Sequence, residues 1–169
     1  MTRRPTPAET APYYARYVAA VPDGDLFATL SEDVEAWATL LDGADPDHAY
    51  APGKWTVRQV VQHVIDTERV FAYRALRFGR GDATALPGFD QDAFAETVAD
   101  SPRSLADLTD ELRAVRASTV ALLRSLPEAA WDRIGTASGL PMSTRGAAWV
   151  IAGHALHHRA VLRDRYELA

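Results

Sequence analysis

The stretch Ser104–Leu126, SLADLTDELRAVRASTVALLRSL, carries the clearest periodic signal in the chain: Leu105, Leu108, Leu112, Val115, Leu122 and Leu126 recur at helical intervals. That spacing lays the apolar side chains along one stripe of an α-helix, and such a stripe needs other helices to cover it. Three further segments repeat the pattern. Leu26, Leu30, Val34, Trp37 and Leu41 share a face behind an Asp25 N-cap, and Gly43 stops that helix. Thr56 and Gln59 form a T-x-x-Q capping box that opens a helix running to about Phe78, closed by GRGD at 79–82. Ser143 or Thr144 caps the last helix, which runs to about Tyr166. Four long amphipathic helices with no convincing strand pattern predict an all-α four-helix bundle.

The remaining segments read as accessories to that bundle. A short helix over about Ala8–Val21, ended by PDGD at 22–25, belongs to an N-terminal extension (1–24) outside the bundle domain (25–169). The stretch 83–102, ATALPGFDQDAFAETVADSP, is too long for a tight turn and is expected to cross one end of the bundle, with one helical turn near Gln91–Thr97. Pro127 ends the third long helix and opens a short one through Trp131.

Composition narrows the function. With 169 residues, 47% of them hydrophobic, the chain suits one domain with a sizeable core. Eighteen Lys and Arg against 23 Asp and Glu leave a net charge of −5, which argues against nucleic acid or an anionic membrane as partner. No apolar h-region follows Arg3 and Arg4, and no run of about 18 apolar residues occurs. A cytoplasmic protein is expected. The absence of cysteine means that any sulfur in its chemistry is brought by a substrate.

Three of the five histidines fall within GHALHHRAVL at 153–162. At about 100° per residue, His154 and His158 lie on the same stripe as Val150 and Val161, where Leu or Val would pack. Four-residue spacing stacks the two imidazoles one turn apart, able to converge on one ion about 2.0–2.1 Å from each. The alternative is two buried, hydrogen-bonded histidines. His157 points to the edge of the stripe, and His48 has no partner spacing. Candidates for a third ligand lie on the second long helix. His63 sits about 100° from Val64, toward a flank of the apolar face, while Glu68 lies nearer its centre as a ligand, a general base or the orienter of a ligand histidine. Glu68 also reads as part of a surface charge cluster with Asp66 and Arg69.

The segments 51–82, APGKWTVRQVVQHVIDTERVFAYRALRFGRGD, LPGFD at 86–90 and AWVIAGHALHHRAVLRDRY at 148–166 together resemble the DinB-like superfamily, which includes YfiT-type metal-dependent hydrolases. The resemblance runs from Leu26 to Tyr166 and is strongest in the second and fourth long helices. It implies a four-helix bundle with up-up-down-down connectivity and a three-histidine site for a divalent metal, zinc or nickel. By motif match the ligands are His63, His154 and His158. The family includes thiol S-transferases that act with external low-molecular-weight thiols, and its members often form homodimers. Tyr13, Tyr14, Tyr17 and Val18 supply an apolar face on the short N-terminal helix suited to such a dimer.

Three functions are compatible with that site. The leading one is a metal-dependent thiol S-transferase acting on a small-molecule substrate, because three neutral imidazoles leave the charge of a dipositive ion uncancelled and favour an anionic ligand such as thiolate. A hydrolase would activate water, with Glu68 as base. A non-catalytic, metal-stabilised binding protein would coordinate its ion fully. Phe89 and Trp131 are expected as pocket walls, and Arg69, Arg74 and Arg77 as binders of carboxylates of the thiol cofactor or as partners in surface ion pairs.

Overall fold

The computed structural model describes residues 3–169. Its long helices are α2 (Leu26–Leu41), α3 (Val57–Gly79), α5 (Leu105–Arg124) and α6 (Thr144–Arg165), with shorter helices α1 (Ala15–Ala20) and α4 (Gln91–Thr97). The helices start where side chains can satisfy free backbone donors. Asp25 accepts from Phe27 N, Thr56 and Gln59 cap each other reciprocally, and Ser104 does the same with Asp107. Ser143, rather than Thr144, caps α6 by accepting from Gly146 N at 2.8 Å.

The protein has the all-α, four-helix fold expected from its sequence. Helix α3 packs against α5 and α6, and α2 packs against the same two, so the successive helices α2 and α3 lie across the bundle from each other. That arrangement is the one up-up-down-down connectivity produces, and it needs long connections across each diagonal, here 42–56 and 125–143. Among the described residues, no helix is long and apolar enough to cross a membrane.

Helix α5 departs from its apolar stripe. Beyond Leu112 the buried positions are Arg116, Thr119 and Leu123, whereas Val115 and Leu122 are half-buried. A guanidinium occupies a core position, so the apolar pattern slips by one residue from the face that is covered. Arg116 Nε donates to both oxygens of Glu68 on α3, at 2.9 and 3.1 Å. Its Nη1 lies 3.6 Å from Asp33 on α2, which in turn pairs at 2.9 Å with Arg159 on α6. Two acids and two arginines thus draw one side chain from each long helix into a charge-balanced network.

Two N-terminal features differ from expectation. The segment 8–21 is not one helix: Pro12 interrupts it, leaving 3-10 turns at Pro7–Glu9 and Pro12–Tyr14 ahead of α1. Tyr17 and Val18, read from sequence as part of an exposed dimer face, are buried, and only Tyr13 among that group is exposed. They are covered by α6 of the same chain. The approach is so close that a Cβ on Gly153 would lie 1.8 Å from the Tyr17 carbonyl oxygen, and one on Gly146 would lie 2.5 Å from that of Glu9. The glycine that precedes His154 is therefore what lets α1 reach the histidine helix.

The stretch 134–143, read as strandless, is an antiparallel hairpin of β1 (Ile134–Ala137) and β2 (Leu140–Ser143). Its two-residue turn places Ser138 and Gly139 at φ of 55° and 77°, the left-handed pair that a tight hairpin requires. The crossover loop is tied to this hairpin: Leu86 N donates to Thr136 O at 2.9 Å, and Ser138 N donates to Leu86 O at 3.0 Å. These bonds hold Gly88 and Phe89 beside Arg74 on the C-terminal half of α3.

Candidate metal centre

Helix α6 presents His154 and His158 one turn apart, and α3 delivers His63 to the same point. The imidazole centroids are separated by 4.4 Å (His154–His158), 4.8 Å (His63–His154) and 4.9 Å (His63–His158). One ring nitrogen from each lies within 4.8 Å of the others. His63 Nε2 and His154 Nε2 are 3.0 Å apart, close to the roughly 3.3 Å between two nitrogens held at 2.0–2.1 Å from one tetrahedral ion. The flank position of His63 now has a reason. The apolar stripe of α3 points between its two neighbours, α5 and α6, whereas a ligand has only to point toward α6.

Burial makes these rings good ligands. It is the main cause that lowers His63 to about 4, His158 to about 3 and His154 well below its ordinary value. All three are therefore neutral at pH 7, with lone pairs available to a cation. His158 Nδ1 is buried and has no hydrogen-bond partner among the described residues. Thr67 Oγ1, one turn along α3, lies 3.5 Å from His63 Nδ1, on the side away from His154, where it can orient the ring. Three neutral, converging imidazoles with an unanswered buried nitrogen fit a borderline divalent cation such as zinc or nickel.

Aromatic groups enclose the cluster. The Trp55 ring lies 4.9 Å from His63, and the Tyr17 ring meets His154 edge-on at 5.2 Å. His63 and His154 open onto a cavity of about 310 Å³, walled by Tyr14, Phe71 and Phe89, with Arg74 and Ser138 among its polar lining. That volume is at the small end of the range for small-molecule sites.

The other sequence candidates are dispersed. Phe89 does line the cavity. Glu68 does not join the imidazoles; inside the bundle both of its carboxylate oxygens accept from Arg116 Nε. Trp131 is buried, edge-on to Phe27 and beneath the Arg145 guanidinium, and does not line the histidine cavity. Arg69 pairs with Glu111 and, at 3.6 Å, with Asp66, and Arg77 pairs with Asp82. His157 is half-buried against the rings of Tyr17 and His158, outside the ligand group. Of the arginines, Arg74 alone lines the cavity. Its position eleven residues after His63 brings it back to within about 20° of the same helical direction, a relation that was readable from the sequence.

A family model described as the DinB superfamily matches residues 26–162. The chain belongs to the DinB superfamily. Among solved structures, this DinB protein is similar to YfiT from Bacillus subtilis, described as a probable metal-dependent hydrolase with an unusual four-helix bundle topology. The two share 18% sequence identity and a TM-score of 0.75, over 99% of this chain and 95% of the other. That likeness establishes the fold. No curated protein matches the chain.

The depressed imidazoles make the metal-free protein acid-sensitive. A histidine that ionises at about 4 when folded and near 6.5 when unfolded leaves the unfolded chain holding more protons between those values. Its contribution is complete above pH 6.5 and is lost as pH falls through 4, on the order of 3 kcal/mol for His63 alone. Thermal unfolding of chelator-treated protein should show a midpoint that is flat above pH 7 and falls steadily from pH 6.5 to pH 4. A midpoint unchanged to pH 5 would mean that the rings titrate normally.

Proposed function

We propose that this DinB protein is a divalent-metal-dependent thiol S-transferase, in which His63, His154 and His158 hold the ion and an external low-molecular-weight thiol supplies the sulfur. The carrying observation is a group of three neutral imidazoles, with no fourth His, Cys, Asp or Glu joined to it among the described residues, two of which, His63 and His154, open onto a small-molecule cavity. Three protein ligands leave a position for an exchangeable molecule, which favours an enzyme over a purely structural site. When bound, a divalent ion supplies Lewis acidity that lowers the pKa of a thiol it holds.

The chain's own groups do the rest. Thr67 fixes the orientation of His63, and the rings of Trp55 and Tyr17 shield the imidazoles from water. The thiol proton leaves to solvent, the sulfur forms a bond to an electrophilic carbon, and the leaving group departs with the electron pair of the bond that breaks. Hydrolysis is the second reading, favoured by the description of YfiT as a probable metal-dependent hydrolase. It is less well supported here, because no carboxylate lines the cavity to serve as a base for water and Glu68 is committed to Arg116.

The test is to incubate zinc- or nickel-loaded protein with an alkylating fluorogenic electrophile and a panel of small thiols. The proposal expects conjugation faster than with the same free metal and thiol. Conjugation no faster than that control, with turnover of an ester or amide, would replace it with hydrolysis.

A further inference from the structure

Arg74 is 2% exposed and is the one deeply buried arginine without a carboxylate partner among the described residues. Arg58 pairs with Asp47, Arg116 with Glu68 and Asp33, and Arg145 with Asp132. Arg74 has instead two neutral acceptors, both on Nη2: the Pro87 carbonyl oxygen at 3.2 Å and Ser138 Oγ at 2.9 Å. Its guanidinium stacks on Phe71 with 4.6 Å to the ring centroid. A guanidinium has five N–H donors, so those on Nε and Nη1 remain without an acceptor among the described residues, at the cavity that His63 and His154 share.

A buried charge left without a counterion is costly, and native proteins retain one where a ligand completes it. The surroundings hold this one in place. Ser138 sits in the left-handed turn of the hairpin, and the crossover loop that carries Pro87 is hydrogen-bonded to the same hairpin. No aspartate or glutamate lines the cavity, although acids outnumber bases in the chain as a whole. Along α3, His63 and Arg74 are about 16 Å apart between Cα atoms, and the arginine side chain leans back toward the helix N-terminus and hence toward His63.

We infer that Arg74 is an anion-binding residue, and that the ligand of this cavity is an elongated small molecule carrying a carboxylate at the end remote from the imidazoles. One guanidinium, held over an aromatic ring, suits a planar carboxylate; phosphate sites ordinarily gather several backbone donors at a helix N-terminus or nest. The position of the reacting end rests on the metal-dependent reading above. The anion site rests on Arg74 and its surroundings.

The test separates the two. Chelator-treated protein is titrated calorimetrically with phenylalkanoates of increasing chain length and with the corresponding phenylalkanols, so that no metal enters the readout. The best acid should bind about tenfold or more tightly than its alcohol, the gain of a charge-assisted hydrogen bond. Arg74→Gln, which removes the charge and leaves a shorter neutral amide, should collapse the preference to about twofold or less while leaving alcohol affinity unchanged. Arg74→Lys should restore part of it. A purely structural Arg74 would not move the acid-to-alcohol ratio. Absence of a preference in the wild type, failure of every acid to bind, or a preference that survives Arg74→Gln would overturn the proposal. Failure of thiol conjugation would leave this result intact.

Discussion

Glu68→Leu lowers the stability of the fold by about 3–5 kcal/mol, the usual consequence of removing one partner from a buried ion pair. Glu68 and Arg116 have side chains only 2% and 3% exposed, and the substitution leaves the Arg116 guanidinium with the Leu30 carbonyl and a more distant Asp33. Removing both partners has a different outcome. In Glu68→Leu/Arg116→Met the charge balance is restored, because Asp33 keeps Arg159 at 2.9 Å, and most of the lost stability returns. Urea unfolding of the single and double variants measures this directly. A catalytic base would behave otherwise: its loss would reduce turnover with little effect on unfolding. A stable, inactive Glu68→Leu protein would therefore contradict the structural role.

The second large effect concerns the histidines. Zinc added to chelator-treated wild-type protein at about 100 times its dissociation constant should raise stability by about 2.7 kcal/mol, or about 5–10 °C in Tm. His154→Ala should abolish that shift. His154 belongs to the three-imidazole group, its nitrogen lies 3.0 Å from that of His63, and two remaining rings bind a divalent ion far more weakly than three. His157→Ala, one position from His158 but outside the group, should keep it. Equal shifts in the two variants would assign the zinc to another place.

The parts of this protein legible in the sequence are those governed by local rules. Asp25, and Thr56 with Gln59, mark helix starts because an N-cap acts within four residues, and α2 and α3 begin where those signals lie. His154 and His158 share a face of α6 for the same local reason. What failed depends on neighbours. The buried face of α5 departs from its apolar stripe because Glu68, on another helix, makes Arg116 a core residue. Glu68 looked like a site residue because it faces inward, and what it faces is that guanidinium. His63 looked peripheral because an apolar stripe averages over two packing partners while a ligand answers to one. The hairpin was missed although Ser138-Gly139 is a turn signal, since its strands are only four residues long. Arg74 differs from Arg69 and Arg77 in its burial at the cavity and in lacking an acid; its helical direction relative to His63 was readable, but the missing acid is recorded by no linear pattern.

Elemental analysis of untagged wild-type protein alongside His63→Ala and His154→Ala bears most directly on the claim that imidazoles from α3 and α6 share one ion. About one zinc or nickel per chain in the wild type, lost in both variants while helical content is retained, is the expected result. Metal at the wild-type level in both variants would remove the centre.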